Sequence, residues 1–230
     1  MPHVKLPPLP GIVGLLAQYP RTGEQLSGLA DALLRGPSSL TPAERETIGA
    51  YVSARNNCEF CASTHSAVAR RLHAGEPAAG SAGSIGTAGS VEASAVAAGA
   101  VGTAGPAQAS GVAVGAVGAT GPAEATAAAV DAAISGGETA EVGAKMQALL
   151  ALAEKVRVDG RSVTDADIRR ARDAGADDQA VHDTVLTAAL FSMFNRYVDG
   201  LATLTPEDPE HYDRHARMLA DNGYRQPPAA

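Results

Sequence analysis

One short stretch of the chain holds residue types that could do chemistry together. Cys58 and Cys61 are the only two cysteines of the 230-residue chain and form a C-x-x-C, with His65 four residues further on. On a helix, at about 100° per residue, positions 0, 3 and 7 share a face. A helix opened by Cys58 therefore puts both sulfurs and the imidazole on one side. The helix N-terminus adds free N–H groups and a partial positive charge, which lower the pKa of a thiol in the first turn. His65 is then placed to accept or relay the thiol proton. A carboxylate from the preceding segment, Glu44 or Glu46, would complete a relay. Taken singly, Glu46 would be a solvated surface charge and His65 a packing residue; their joint spacing with the cysteines reverses both readings.

Other uses of the same residues differ in what they need around them. Zinc would take Cys58, Cys61 and His65 with His73 as the nearby fourth candidate, but structural zinc pairs usually sit on turns rather than along a helix. A c-type haem needs His directly after the second cysteine, where Ala62 stands. A thioredoxin-like motif needs a βαβ context that is missing here. Two inert buried thiols are the plain packing alternative. The spacing favours redox chemistry, with no metal and no cofactor.

The chain that must position these residues is acidic and poor in rings. It has 18 basic and 25 acidic residues, for a formal charge of −7, with five Tyr, three Phe and no Trp. This argues against nucleic acid as a partner, since a phosphate binder needs a basic face. A core built of Ala, Leu and Val suits packed helices better than sheets. Two cysteines cannot staple a secreted scaffold of this size, and the first ten residues carry no apolar signal segment, so a reducing cytoplasm is expected.

Helical patterns fill the two ends of the chain. Gly11 to Gln18 is apolar with helical spacing and stops before Pro20. Thr22 to Leu34 puts Leu26, Leu29, Leu33 and Leu34 on one stripe, closed by Gly36-Pro37. Thr41-Pro42-Ala43-Glu44 reads as a capping Thr, a Pro at the first helical position and a Glu three residues after the cap. That helix should run to the polar break at Asn56-Asn57, and the next should run from Cys58 to about Leu72. Lys145 to Val158 is amphipathic. A short helix follows from Val163-Thr164-Asp165 to a C-terminal Gly175. A long one is capped by Asp177 or Asp178 and carries Val181, Leu190, Met193, Phe194 and Val198. It is the most apolar segment and the expected core helix. Thr205-Pro206-Glu207 could open a last helix towards Leu219. Asn195-Arg196, His182, His211 and His215 receive no role.

Between Glu76 and Asp131 the only charged residues are Glu92 and Glu124, and there is no Leu and no ring. A 16-residue period runs through it: Gly86-Thr87-Ala88-Gly89 returns as Gly102-Thr103-Ala104-Gly105 and as Gly118-Ala119-Thr120-Gly121. Gly and Pro throughout speak against a membrane span, and a solenoid would have almost nothing bulky to bury. The expectation is a disordered loop. The resulting division is 1–74 for N-terminal helices with the C-x-x-C, 75–129 for the low-complexity insertion, 130–222 for C-terminal helices of the same domain, and 223–230 for a tail.

Glu46-x11-Cys58-x2-Cys61-x3-His65, inside ERETIGAYVSARNNCEFCASTHSAVAR, resembles the signature of the alkylhydroperoxidase D/carboxymuconolactone decarboxylase superfamily, in its peroxidase-related branch. MQALLALAEKV and the segment from VTDADIRRARDAGADD to FNRYVDGL are similar to that branch's C-terminal half. The resemblance covers most of residues 10 to 204 and skips the repeat. It implies an all-α, AhpD-like helical bundle with the Ala/Gly-rich insertion in a connecting loop, and thiol-based reduction of hydroperoxides. Carried over, Cys61 would be the peroxide-attacking thiolate and Cys58 the partner that closes the disulfide, with Glu46 and His65 as the proton relay. A thiol or dithiol reductant would recycle the pair, and the protein would be a homo-oligomer, a trimer or hexamer, with no membrane partner. The founding hydroperoxidases carry a second His directly before the second cysteine; here Phe60 stands there and removes a polar relay group. The resemblance leaves two other functions open, a redox-switched, non-catalytic oligomeric module and a carboxymuconolactone decarboxylase-like enzyme.

Overall fold

A computed structural model describes residues 1–75, 127–134 and 142–225, all of which lie in one compact unit. Residues 76–126, 135–141 and 226–230 fall outside the described residues, and with the first of these the expectation of a disordered loop; of the expected 75–129 insertion, Gly75 ends one helix and Ala127 to Ala129 open another. Among the described residues the fold is all-α, as expected, built from α1 (Gly11–Gln18), α2 (Pro20–Arg35), α3 (Pro42–Arg55), α4 (Glu59–Gly75), α5 (Ala127–Ile134), α6 (Ala144–Asp159), α7 (Asp165–Asp173), α8 (Asp178–Gly200) and α9 (Pro209–Asn222). No helix among them is long and apolar enough to cross a membrane.

Local chemistry sets most of the boundaries. The Thr41 hydroxyl accepts from the Glu44 N–H at 3.2 Å while Glu44 Oε2 accepts from the Thr41 N–H at 2.8 Å, the reciprocal cap read from the sequence. Gly175 closes α7 at φ +95°, where the lack of a Cβ removes the strain. Two starts differ from expectation. Helix α2 opens at Pro20, because proline suits the first helical turn as readily as it ends the previous helix. Helix α9 opens at Pro209 rather than near Thr205: Asp208 caps the Glu210 N–H, and the Pro206 carbonyl is engaged instead by the Tyr212 hydroxyl at 2.9 Å.

The core helix is α3, not the more apolar α8. Ten of the fourteen residues of α3 are buried, Arg45 and Glu46 among them, whereas α8 leaves Met193 43% exposed. A helix enclosed on most sides needs small residues for close approach more than it needs an apolar stripe. Gly49 shows this directly: a Cβ there would fall 2.4 Å from the Phe191 ring of α8. Around α3 the buried side chains form three clusters, the largest built from α3, α6 and α8, the second from α4, α8 and α9, and the third from α2 and α8. Each fully buried Leu or Phe, such as Leu149, Leu150 or Phe191, contributes about 1.5–3 kcal/mol.

Candidate active site

The turn between α3 and α4 places the cysteines. Asn57 takes the left-handed conformation (φ 58°), which Asn tolerates better than most residues. The turn is pinned from outside: the Asn56 amide donates to Asn195 Oδ1 at 2.9 Å, and the Asn195 amide donates to Ser53 Oγ at 3.0 Å. Arg157 adds a donor to Asn56 Oδ1 at 3.2 Å. Asn195, left without a role by the sequence, thus holds the corner from α8. Cys58 then stands one residue ahead of α4, its carbonyl accepting the Ala62 N–H at 2.9 Å, so Cys61 lies in the first turn. Both sulfurs are free thiols, and both residues are buried, Cys58 completely. A hydrogen bond to the Cys61 sulfur, then burial, push the Cys58 thiol far up.

Of the two candidate carboxylates, the structure brings Glu46 to the histidine. Glu44 is occupied in its helix cap and in an ion pair with Lys145 at 2.8 Å. Glu46 is fully buried and takes three polar contacts: His65 Nδ1 at 2.7 Å on Oε2, and on Oε1 the Arg35 guanidinium at 2.7 Å and the Tyr224 hydroxyl at 2.6 Å, with the Tyr224 hydroxyl 3.2 Å from His65 Nδ1 as well. Burial pushes this carboxyl up, but the hydrogen bond and charge of His65, the charge of Arg35 and the Tyr224 donor outweigh it and hold it below its usual range. Burial likewise weakens the Arg35 cation and Glu46 more than restores it. An ionised carboxylate only accepts hydrogen bonds, so Nδ1 of His65 carries a hydrogen and, in the neutral ring, Nε2 holds the lone pair. The ring is kept in place by the edge of Phe191 at 4.5 Å and by Tyr224 stacked at 5.9 Å.

Cys61 and His65 share a largely apolar cavity of about 60 Å³, walled by Ile12, Leu26, Phe191, Phe194 and Leu219. His215 from α9 lines it too, and burial, then the neighbouring His65 and His211, bring its imidazole down to about 4. The buried hydroxyls of Ser27 and Thr64 also line the cavity and have no hydrogen-bond partner among the described residues. Phe60, between the cysteines, packs against Tyr212 at 6.2 Å and closely over Gly11, where a Cβ would meet its ring at 2.1 Å. His73 lies apart from the thiols, 3.2 Å from the Thr47 hydroxyl. Arg35, His215 and Tyr224 were not legible as site residues: they come from α2, α9 and the segment after α9, and no local spacing ties them to the cysteines.

The family model of the carboxymuconolactone decarboxylase family matches residues 20–98, which include Glu46, both cysteines and His65. Two solved structures share the fold. One, an uncharacterized peroxidase-related protein from Silicibacter sp. TM1040, is 18% identical, with a TM-score of 0.61, over 89% of this chain and 78% of that one. The other, described as an alkylhydroperoxidase AhpD core and an uncharacterized peroxidase-related protein from Ralstonia eutropha JMP134, is 20% identical, with a TM-score of 0.61, over 91% of this chain and 82% of that one. No curated protein matches the chain.

Proposed function

We propose that the protein is a thiol-dependent hydroperoxidase of the alkylhydroperoxidase type, using Cys58 and Cys61 as a redox pair in a reducing cytoplasm. The observation that carries the reading is the buried Glu46–His65 pair at 2.7 Å on the cavity that also holds Cys61. His65 takes the Cys61 proton on Nε2, and Glu46 steadies the imidazolium through Nδ1–H. The Cys61 thiolate attacks the terminal oxygen of R–O–O–H and the O–O bond breaks. The leaving alkoxide takes the proton back from His65 and departs as an alcohol. Cys61 is then a sulfenic acid. Cys58 attacks its sulfur, the S–S bond forms, and the OH group leaves with the Cys58 proton as water. Two thiols have supplied two electrons, and a thiol or dithiol reductant restores them.

The apolar walls suit an organic hydroperoxide, and the unpartnered hydroxyls of Ser27 and Thr64 offer hydrogen bonds to its oxygens. Family resemblance adds a homo-oligomer, a trimer or hexamer, as the working form. The test is a thiol titration of the reduced protein before and after one equivalent of cumene hydroperoxide. Loss of both thiols is expected, with Cys61→Ser inert and Cys58→Ser stopping at a sulfenic acid. Two thiols that persist for hours would end the peroxidase reading in favour of a redox-switched module or a decarboxylase-like enzyme.

A further inference from the structure

The carboxylate of Glu46 has one oxygen for His65 and another that two further groups compete to fill. The second of these, Tyr224, comes from a segment that sequence reasoning assigns to a tail. Past the end of α9, Gly223 turns the chain at φ +71°. The Tyr224 N–H then donates to Asp31 Oδ1 of α2 at 2.9 Å, and Arg225 reaches the other oxygen of Asp31 at 3.2 Å. The ring packs against all three apolar clusters of the molecule, with the Arg35 guanidinium 5.0 Å from its centroid. A surface tail would make none of these contacts.

We propose that Tyr224 is a positioning residue of the Glu46–His65 relay, held by a strap from the C-terminal segment to Asp31 so that its hydroxyl and Arg35 saturate Glu46 Oε1 and leave Oε2 for His65 Nδ1–H. The proposal rests on the hydroperoxidase reading for its catalytic meaning, but its structural content stands on the hydrogen bonds. With Oε1 filled by two donors, the imidazole has one tautomer that satisfies Oε2. Nε2 is then the base available to the cavity, and the phenol also drains charge from the carboxylate. Burial, then the adjacent carboxylate, push the Tyr224 hydroxyl well above its ordinary value, so it remains a donor throughout the working range.

Among the described residues, Arg35 and Asp31 of α2, Arg45 of α3, Cys61 of α4 and His215 of α9 lie around this pair. From α8, Asp199 reaches Cys58 and Asp183 reaches Arg45.

The experiment uses the full, reduced chain with ¹⁵N-labelled histidine, reading the ring nitrogens of His65 (assigned by their loss in His65→Gln) alongside the pH profile of thiol loss to cumene hydroperoxide. Wild type should show His65 as the Nδ1–H tautomer; an Nε2–H ring in the wild type would overturn the proposal without any variant. In Tyr224→Phe, which keeps the ring and its packing, His65 should show mixed tautomers or an imidazolium at neutral pH. The acid limb of the rate should move to higher pH by about half a unit or more, with a several-fold (roughly 3- to 10-fold) slower rate at neutral pH. Wild-type values in Tyr224→Phe on both readouts, with a change only in Tyr224→Leu, would mean that ring packing alone matters and would overturn the role of the hydroxyl. Wild-type thiols untouched by peroxide would end the hydroperoxidase reading, and the tautomer would still decide on Tyr224.

Discussion

Among the described residues, two buried carboxylates each bind a histidine, Glu46 and Asp183, and their surroundings differ. Glu46 holds His65 at 2.7 Å and Asp183 holds His182 at 2.9 Å. Both carboxylates stay below their ordinary range against the pull of burial, Glu46 through His65, Arg35 and Tyr224, and Asp183 through Ser38, His182 and Gln179. The difference lies in the imidazole. The His65 side chain is 13% exposed and shares a cavity with Cys61, whereas that of His182 is 65% exposed on the opening turn of α8. A carboxylate–imidazole pair ties two elements together wherever it occurs; it can serve as a relay only where the ring is shielded and a thiol lines the same cavity.

Exchanging each acid for its amide tests that distinction most strongly. Glu46→Gln leaves the Arg35 cation buried without its counter-ion and should cost about 3 kcal/mol in urea unfolding. It should also slow thiol loss to cumene hydroperoxide by roughly tenfold or more. Asp183→Asn should cost about 1 kcal/mol, for weakened hydrogen bonds to Ser38 and His182, and leave the rate of thiol loss unchanged. Equal rate losses in the two variants would erase the distinction.

A smaller effect comes from the packing behind the ring. Gly49→Ala must displace Phe191, whose edge supports His65, and should cost about 1–3 kcal/mol together with a lower rate of thiol loss. Unchanged thermal stability would mean that Phe191 moves freely and supports nothing.

The pH dependence of stability separates the cavity from the rest. His215 has a folded pKa of about 4 against an ordinary 6.5, so between those values the unfolded chain binds more protons than the folded one. Its contribution is complete above about pH 6.5 and declines as pH falls towards 4. Glu46, whose folded pKa is lowered, contributes stability that is complete above its ordinary 4.5 and is lost only as pH falls through its folded value. His215→Gln should therefore flatten the stability curve between pH 6.5 and 4.5 and leave the steeper loss below it; urea midpoints across that range provide the check. Smallest of all, Thr41→Ala should cost about 1 kcal/mol by removing the cap of α3, with no effect on thiol chemistry, which separates positioning of the helix from positioning of the relay.

Much of this site could be read from one window of the chain. Cys61 and His65 line one cavity because they stand one helical turn apart on α4, and Thr41 to Glu44 announces the helix that carries Glu46. The choice of Glu46 over Glu44 came from family resemblance; in space, Glu44 is committed to the cap and to Lys145. Hydropathy points to α8 as the core helix, whereas the more completely buried helix is α3, which encloses charge and small residues. Asn195 shows the same limit: a polar residue on an apolar helix has no meaning until Asn56 and Ser53 are brought opposite it.

The amino-acid order alone determined the helices with their caps and the placing of Cys61 and His65 one helical turn apart, because those depend on contacts within a few residues. Tertiary packing alone decided the rest: Arg35 from α2 and Tyr224 from beyond α9 meet on Glu46, and α1, α8 and α9 wall the cavity. The physical reason is that a buried charge must find its partners wherever the fold brings donors within about 3 Å, and such partners carry no signature in sequence spacing.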